Sequence, residues 1–121
     1  MDIRRLSTRA PKELDKDEIK NETKVLEERM AELQHKMRAQ GKYSLLVVLQ
    51  GMDASGKDGV VKKVFSKIPA FGITVCSFKV PNKEELSHDF LWRVHQKTPS
   101  KGQITVFNRS HYEDVLVTRV L

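Results

Sequence analysis

The sequence predicts an α/β fold, a parallel sheet with helices on both faces preceded by a long N-terminal helix, and three features carry that expectation. After residue 42, short aliphatic runs alternate with segments of helical spacing, the signature of strands joined by crossover helices. Each aliphatic run is apolar along its whole length, as expected of strands covered on both faces. Before residue 42, a stretch without Pro or Gly carries a single apolar stripe.

That stretch is residues 12–40, where Ile19, Leu26, Met30, Leu33 and Met37 recur at steps of seven, four, three and four. The spacing predicts one long packing helix, with Glu32 followed by Lys36 supporting it at i,i+4 and Gly41 ending it. The repeat is too short to argue for a coiled coil. Next, SLLVVLQ (44–50) reads as a strand, DGVVKKVFSKI (58–68) as a helix and ITVCSFK (73–79) as a second strand. Asn82, with Glu85 three residues on, is a capping-box pattern opening a helix that would carry Leu86, Phe90, Leu91, Val94 and His95. QITVF (103–107) is a third strand, NRSHY a loop, and EDVLVTRVL (113–121) the start of a further helix.

The composition, 39% apolar and 31% charged over 121 residues, is that of a globular domain. A single cysteine, Cys76, excludes an intrachain disulfide and points to a reducing, cytoplasmic setting. The longest apolar run, Leu45 to Leu49, is too short to span a bilayer, so no membrane partner is expected. Net charge is +6, and residues 43–121 carry more of it, with 11 basic against 7 acidic residues, than residues 1–42, with 11 against 9. An anionic partner fits. Aromatic residues are few and not interleaved with the basic ones, which argues against a stacking platform for nucleic acid.

The segment GMDASGKD fills the frame G-x-x-x-x-G-K with Gly51, Gly56 and Lys57, between an apolar strand and a helix as a P-loop requires. Gly51, Ala54, Ser55, Gly56, Lys57, Asp58 and Gly59 are thus the expected phosphate-binding residues. Backbone N–H groups and the helix N-terminus would face the anion, and Lys57 would add a mobile cation. Asp58 stands where a Ser or Thr hydroxyl would ordinarily meet magnesium, and suits a helix start. Asp53 is discordant: two like charges at about 4 Å repel by roughly 4 kcal/mol at an effective dielectric of 20. A divalent cation between them reverses the sign, so Asp53 reads as a magnesium anchor or as a group orienting an attacking phosphate. Arg109, beyond the third strand, reads as a group to offset charge on a transferring phosphoryl group, with a solvated surface arginine as the other reading. Asn108 and Glu113 fall in the nucleotide or metal neighbourhood, with first-turn helix residue an equal reading for Glu113 and for Asp114. His88 and His95 read as surface or packing residues. Lys62, Lys63 and Lys67 read as a solvated basic flank or a track for a polyanion.

GMDASGKDG, SFKVPNKEELSHDFLWRVH and FNRSHYEDVLVTRV together resemble the polyphosphate kinase-2 family over about residues 12–121. The resemblance implies a P-loop kinase fold and reversible, magnesium-dependent phosphoryl transfer between inorganic polyphosphate and a nucleotide; in-line transfer with no stable phospho-enzyme is the expected mechanism. Asp53, Lys57 and Arg109 match the family's functional positions, and HYEDVL is most similar to the branch acting on AMP and ADP. Residues 1–42 would be an N-terminal extension with the long helix, and 43–121 the N-terminal portion of a kinase domain, incomplete at its C-terminus. A homo-oligomer is implied for the complete protein. Two other readings stand beside this one: a non-catalytic phosphate-binding or oligomerising remnant, and an ATP-dependent nucleotide or small-molecule kinase.

Overall fold

The structure, a computed structural model, describes residue 7 and residues 9–113. Asp15 opens the first helix by accepting from the N–H groups of Asp17 and Glu18 at 2.7 and 3.3 Å, satisfying donors that have no partner inside the helix. Helix α1 runs Lys16–Gln40 and stops at Gly41, where φ is 58° and the N–H returns to Met37 O at 3.1 Å.

The stripe on α1 packs only in part. Met30 and Met37 join the core and Gln34 between them is buried, whereas Ile19, Leu26 and Leu33 are exposed. The helix rests on the body through its C-terminal half, where Gln34 donates to Gly72 O at 3.2 Å and Arg38 to Phe71 O at 2.9 Å. Burial of Gln34 turns the contact line away from Leu33. Ile19 and Leu26 lie in the N-terminal part, where the described residues through Leu26 are all exposed.

Strands β1 (Leu45–Leu49), β2 (Ile73–Cys76) and β3 (Ile104–Asn108) form a parallel sheet in the order β1-β3-β2. Val106 of β3 stands level with Val47 on one side and Val75 on the other. Burial on both faces holds only for this central strand: Ile104, Thr105, Val106 and Phe107 are buried, while Leu46, Val48 and Val75 on the edge strands are exposed. An edge strand has a neighbour on one side only and less helix above it.

Helices do cover both faces. On one, Ile104 and Val106 pack with Ile68, with Met30 and Met37 of α1, and with Val61 of helix α2 (Lys57–Val64). On the other, Phe107 meets Phe78 edge to face, with ring centroids 4.8 Å apart, beside Val94. Helix α2 ends at Val64, short of the expected 68: the chain tightens into turns, with Ser66 N–H on Lys63 O at 3.4 Å and Ile68 N–H on Phe65 O at 3.1 Å, ahead of Pro69, which disfavours helical backbone at Ile68.

The capping box at Asn82 forms, with Asn82 and Glu85 exchanging side-chain to backbone bonds of 2.9 Å each way. The helix it opens differs from expectation. It breaks into α3 (Lys83–Ser87) and α4 (Trp92–His95), leaving Leu86 and Phe90 exposed. Short polar side chains cause the break: Ser87 Oγ donates back to Glu84 O at 2.7 Å, and Asp89 Oδ1 captures Leu91 N–H at 2.9 Å. Beyond β3 the chain enters a helical turn at Tyr112 and Glu113, and the rest of the helix expected over 113–121 lies outside the described residues. No helix among the described residues is long and apolar enough to cross a membrane.

Candidate functional site

β1 and β3 end side by side, with Leu49 opposite Asn108, and Arg109 N–H extends the pairing to Leu49 O at 3.0 Å. The loops that follow therefore share the carboxyl edge of the sheet, where ligands of open parallel sheets bind. Residues 51–56 curl back on themselves because Ala54 and Gly56 adopt left-handed backbone, with φ of 60° and 89°. Gly56 does so at no steric cost and caps α2. A Cβ on Gly51 would come within 2.9 Å of Ser55 Oγ, which is why the loop closes on a glycine there.

Lys57 reaches back across this loop. Its ammonium donates to Gly51 O at 2.7 Å, Met52 O at 2.8 Å and Ser55 Oγ at 3.3 Å, which centres a positive charge within the curl. The loop and the end of β3 enclose a cavity of about 230 Å³ lined by Asp53, Ala54, Ser55, Gly56, Lys57, Asp58, Asn108 and Arg109. Most of the residues expected to bind phosphate thus meet in one place. Gly51 and Gly59 fall outside the lining: Gly51 stands at the start of the loop, and Gly59 lies in the first turn of α2, where a Cβ would meet nothing within 4 Å.

Two side-chain contacts join the loop to β3. Asn108 Nδ2 donates to Asp58 Oδ1 at 2.5 Å, so Asp58 is tied to the strand end in addition to starting the helix. Arg109 Nη2 donates to Asp53 Oδ1 at 2.7 Å. The discordant acid of the loop therefore has a cation beside it, and that cation is a guanidinium. Arg109 itself sits at φ 76°, a conformation unfavourable for a residue with a Cβ, and its Nη1 lies 3.7 Å from Glu113 Oε1. Glu113 is thus outside the cavity lining but within reach of the group that faces it.

The donors offered here are hard oxygens. Asp53 Oδ atoms are largely exposed at the mouth, and Asn108 Oδ1 is buried without a hydrogen-bond partner, an acceptor awaiting a donor or a cation. Among the described residues no group of three His, Cys, Asp or Glu side chains could form a closed metal cage. Magnesium does not require one, since it keeps several waters and binds through one or two carboxylates plus substrate phosphates. The residues present fit that ion.

Sequence reasoning passed over two features. Gln50, between β1 and the loop, hydrogen-bonds to both Ser110 and Glu113; its signal was only a polar residue closing an apolar strand. A second cleft of about 540 Å³ lies beyond the carboxyl end of β2, lined by Phe78, Lys79, Trp92, Arg93 and Lys97 among others. Buried Arg93 donates to Lys79 O at 2.8 Å there. His88 stacks on Trp92 with centroids 4.0 Å apart, a packing role, while Lys62, Lys63 and Lys67 are exposed along α2 and the turn after it.

Known proteins resemble this chain in sequence and in fold. The model of the family described as Polyphosphate kinase 2 (PPK2) matches residues 13–121. An AMP/ADP-polyphosphate phosphotransferase of Meiothermus ruber is 54% identical over 96 residues, which are 79% of this chain and 36% of that protein. An ADP-polyphosphate phosphotransferase of Rhodopseudomonas palustris is 50% identical over 93 residues, 77% of this chain and 32% of that one. The crystal structure of a polyphosphate kinase 2 from Arthrobacter aurescens TC1 superposes with a TM-score of 0.89 at 38% identity, covering 98% of this chain and 45% of that structure. The chain thus spans about a third of the length of these two curated relatives.

Proposed function

The chain belongs to the polyphosphate kinase 2 family, and on that premise we propose that it carries the phosphate-gripping part of a phosphotransferase acting between inorganic polyphosphate and AMP or ADP. The observation that supports this most is the meeting of Asp53, Lys57 and Arg109 around one cavity at the carboxyl edge of the sheet. The substrates follow the names of the relatives, among them AMP/ADP-polyphosphate phosphotransferase.

In this reading the loop N–H groups and the N-terminus of α2 hold phosphate oxygens. Lys57 exchanges the carbonyls of Gly51 and Met52 for phosphate oxygens, an exchange of neutral acceptors for charged ones that favours the ligand. Arg109 turns its guanidinium from Asp53 toward the transferring phosphoryl group, where negative charge is spread over the equatorial oxygens. Asp53 and Asn108 Oδ1 are the oxygens that would hold a magnesium ion, and the ion would supply neutralisation of charge on the phosphates. Positioning and charge compensation are sufficient for an in-line transfer without a phospho-enzyme.

The test is a coupled assay with polyphosphate as sole donor and AMP or ADP as acceptor, on the full open reading frame that encodes this chain. Formation of ADP or ATP is expected. Product with ATP as donor and none with polyphosphate would overturn the reading.

A further inference from the structure

Gln50 makes three hydrogen bonds to the segment that carries Arg109. Its Oε1 accepts from Ser110 N–H and from Ser110 Oγ, each at 3.1 Å, and its Nε2 donates to Glu113 Oε2 at 2.7 Å. The orientation of the amide is fixed by its partners, because a backbone N–H only donates and a carboxylate only accepts. Ser110 is 1% exposed, and its Oγ also accepts Tyr112 N–H at 3.2 Å. Glu113 in turn places Oε1 at 3.7 Å from Arg109 Nη1, while Arg109 Nη2 lies 2.7 Å from Asp53. One polar chain therefore runs from Ser110 through Gln50, Glu113 and Arg109 to Asp53.

Arg109 needs such support. Its backbone is left-handed, at φ 76°, and would relax if the residues on either side were free. Leu49 O holds its N–H at 3.0 Å, and the neighbouring residue, Ser110, is held by Gln50. The guanidinium has two carboxylate partners, and Gln50 fixes one of them.

We propose that Gln50 is a positioning residue: by fixing Ser110 and Glu113 together it aims the Arg109 guanidinium across the phosphate loop. This rests on the role given to Arg109 above. Gln50 touches neither phosphate nor nucleotide in this assignment, so its loss should lower turnover more than it weakens binding.

A double-mutant cycle tests it in the full encoded protein. Gln50→Glu keeps the shape and the acceptor facing Ser110 but sets a carboxylate against Glu113. It is expected to lower kcat about tenfold while KM for polyphosphate changes less than about twofold. In the Glu113→Gln background the same change again faces a donor with an acceptor, and its cost should fall below about twofold. Whatever Glu113→Gln costs by itself is divided out, because each comparison stays within one background. The Arg109 Nε–Hε resonance in nitrogen-15 NMR should shift in Gln50→Glu and return in the double variant, a readout that needs no turnover. An equal loss in both backgrounds, or a resonance unmoved by Gln50→Glu, would overturn the assignment. Absence of polyphosphate-dependent transfer in the parent would instead overturn the functional reading, with the resonance cycle still deciding on Gln50.

Discussion

Arg109 donates to Asp53 at 2.7 Å across the mouth of the phosphate loop, joining residues 56 positions apart. The contact connects the turn after β1 with the turn after β3, and it exists only because those strands are neighbours in the sheet. In the proposed reaction the same acid would have a second role, as a holder of magnesium.

Replacing Arg109 by Gly separates its two contributions. Removing a left-handed Cβ relieves about 1 kcal/mol of strain, while the lost ion pair, with both side chains substantially exposed, is worth about 0–1 kcal/mol. Arg109→Gly should therefore unfold within about 1 kcal/mol of the parent in a urea titration yet lose transfer activity by about 100-fold. A strongly destabilised but active variant would show that Arg109 serves the fold.

Lys57→Met should leave melting and far-ultraviolet circular dichroism close to the parent and lower kcat/KM by about 100-fold or more. Lys57 does brace the loop through Gly51 O and Met52 O, so a small local loosening is expected. Full activity with free polyphosphate would remove Lys57 from the site.

A stability prediction concerns the seat of α1. A Cβ on Gly72 would collide with the side-chain amide of Gln34, which is buried and donates to Gly72 O at 3.2 Å. Gly72→Ala should cost about 1–3 kcal/mol by forcing that amide out of place and leaving it unpaired. Chemical denaturation checks it. A variant as stable as the parent would mean that α1 is held by other contacts.

Strand and helix order, the loop at 51–58 and the placement of Arg109 were legible because apolar runs, glycine spacing and capping residues act locally. The capping box at Asn82 and the stop at Gly41 formed as read. What failed was non-local or depended on competition. Leu26 and Leu33 share the stripe with Met30 and Met37, but only tertiary contact with Gly72 decides which side of the stripe is buried. Asp89 and Ser87 sit within a helical pattern and break it, because their side chains capture nearby backbone groups. The Asp53–Arg109 pair follows from sheet order, which periodicity does not reveal. Gln50 likewise gains its partners only once β1 lies beside β3.

The central claim, that Asp53 serves metal-assisted phosphoryl transfer from polyphosphate, is tested most directly by Asp53→Asn in the full encoded protein. The measurement is polyphosphate-dependent turnover of ADP across a magnesium titration, beside circular dichroism of the same sample. The account predicts an unchanged fold, turnover lower by about 100-fold, and a magnesium response displaced to higher concentration. Turnover within about twofold of the parent at the same magnesium would contradict it.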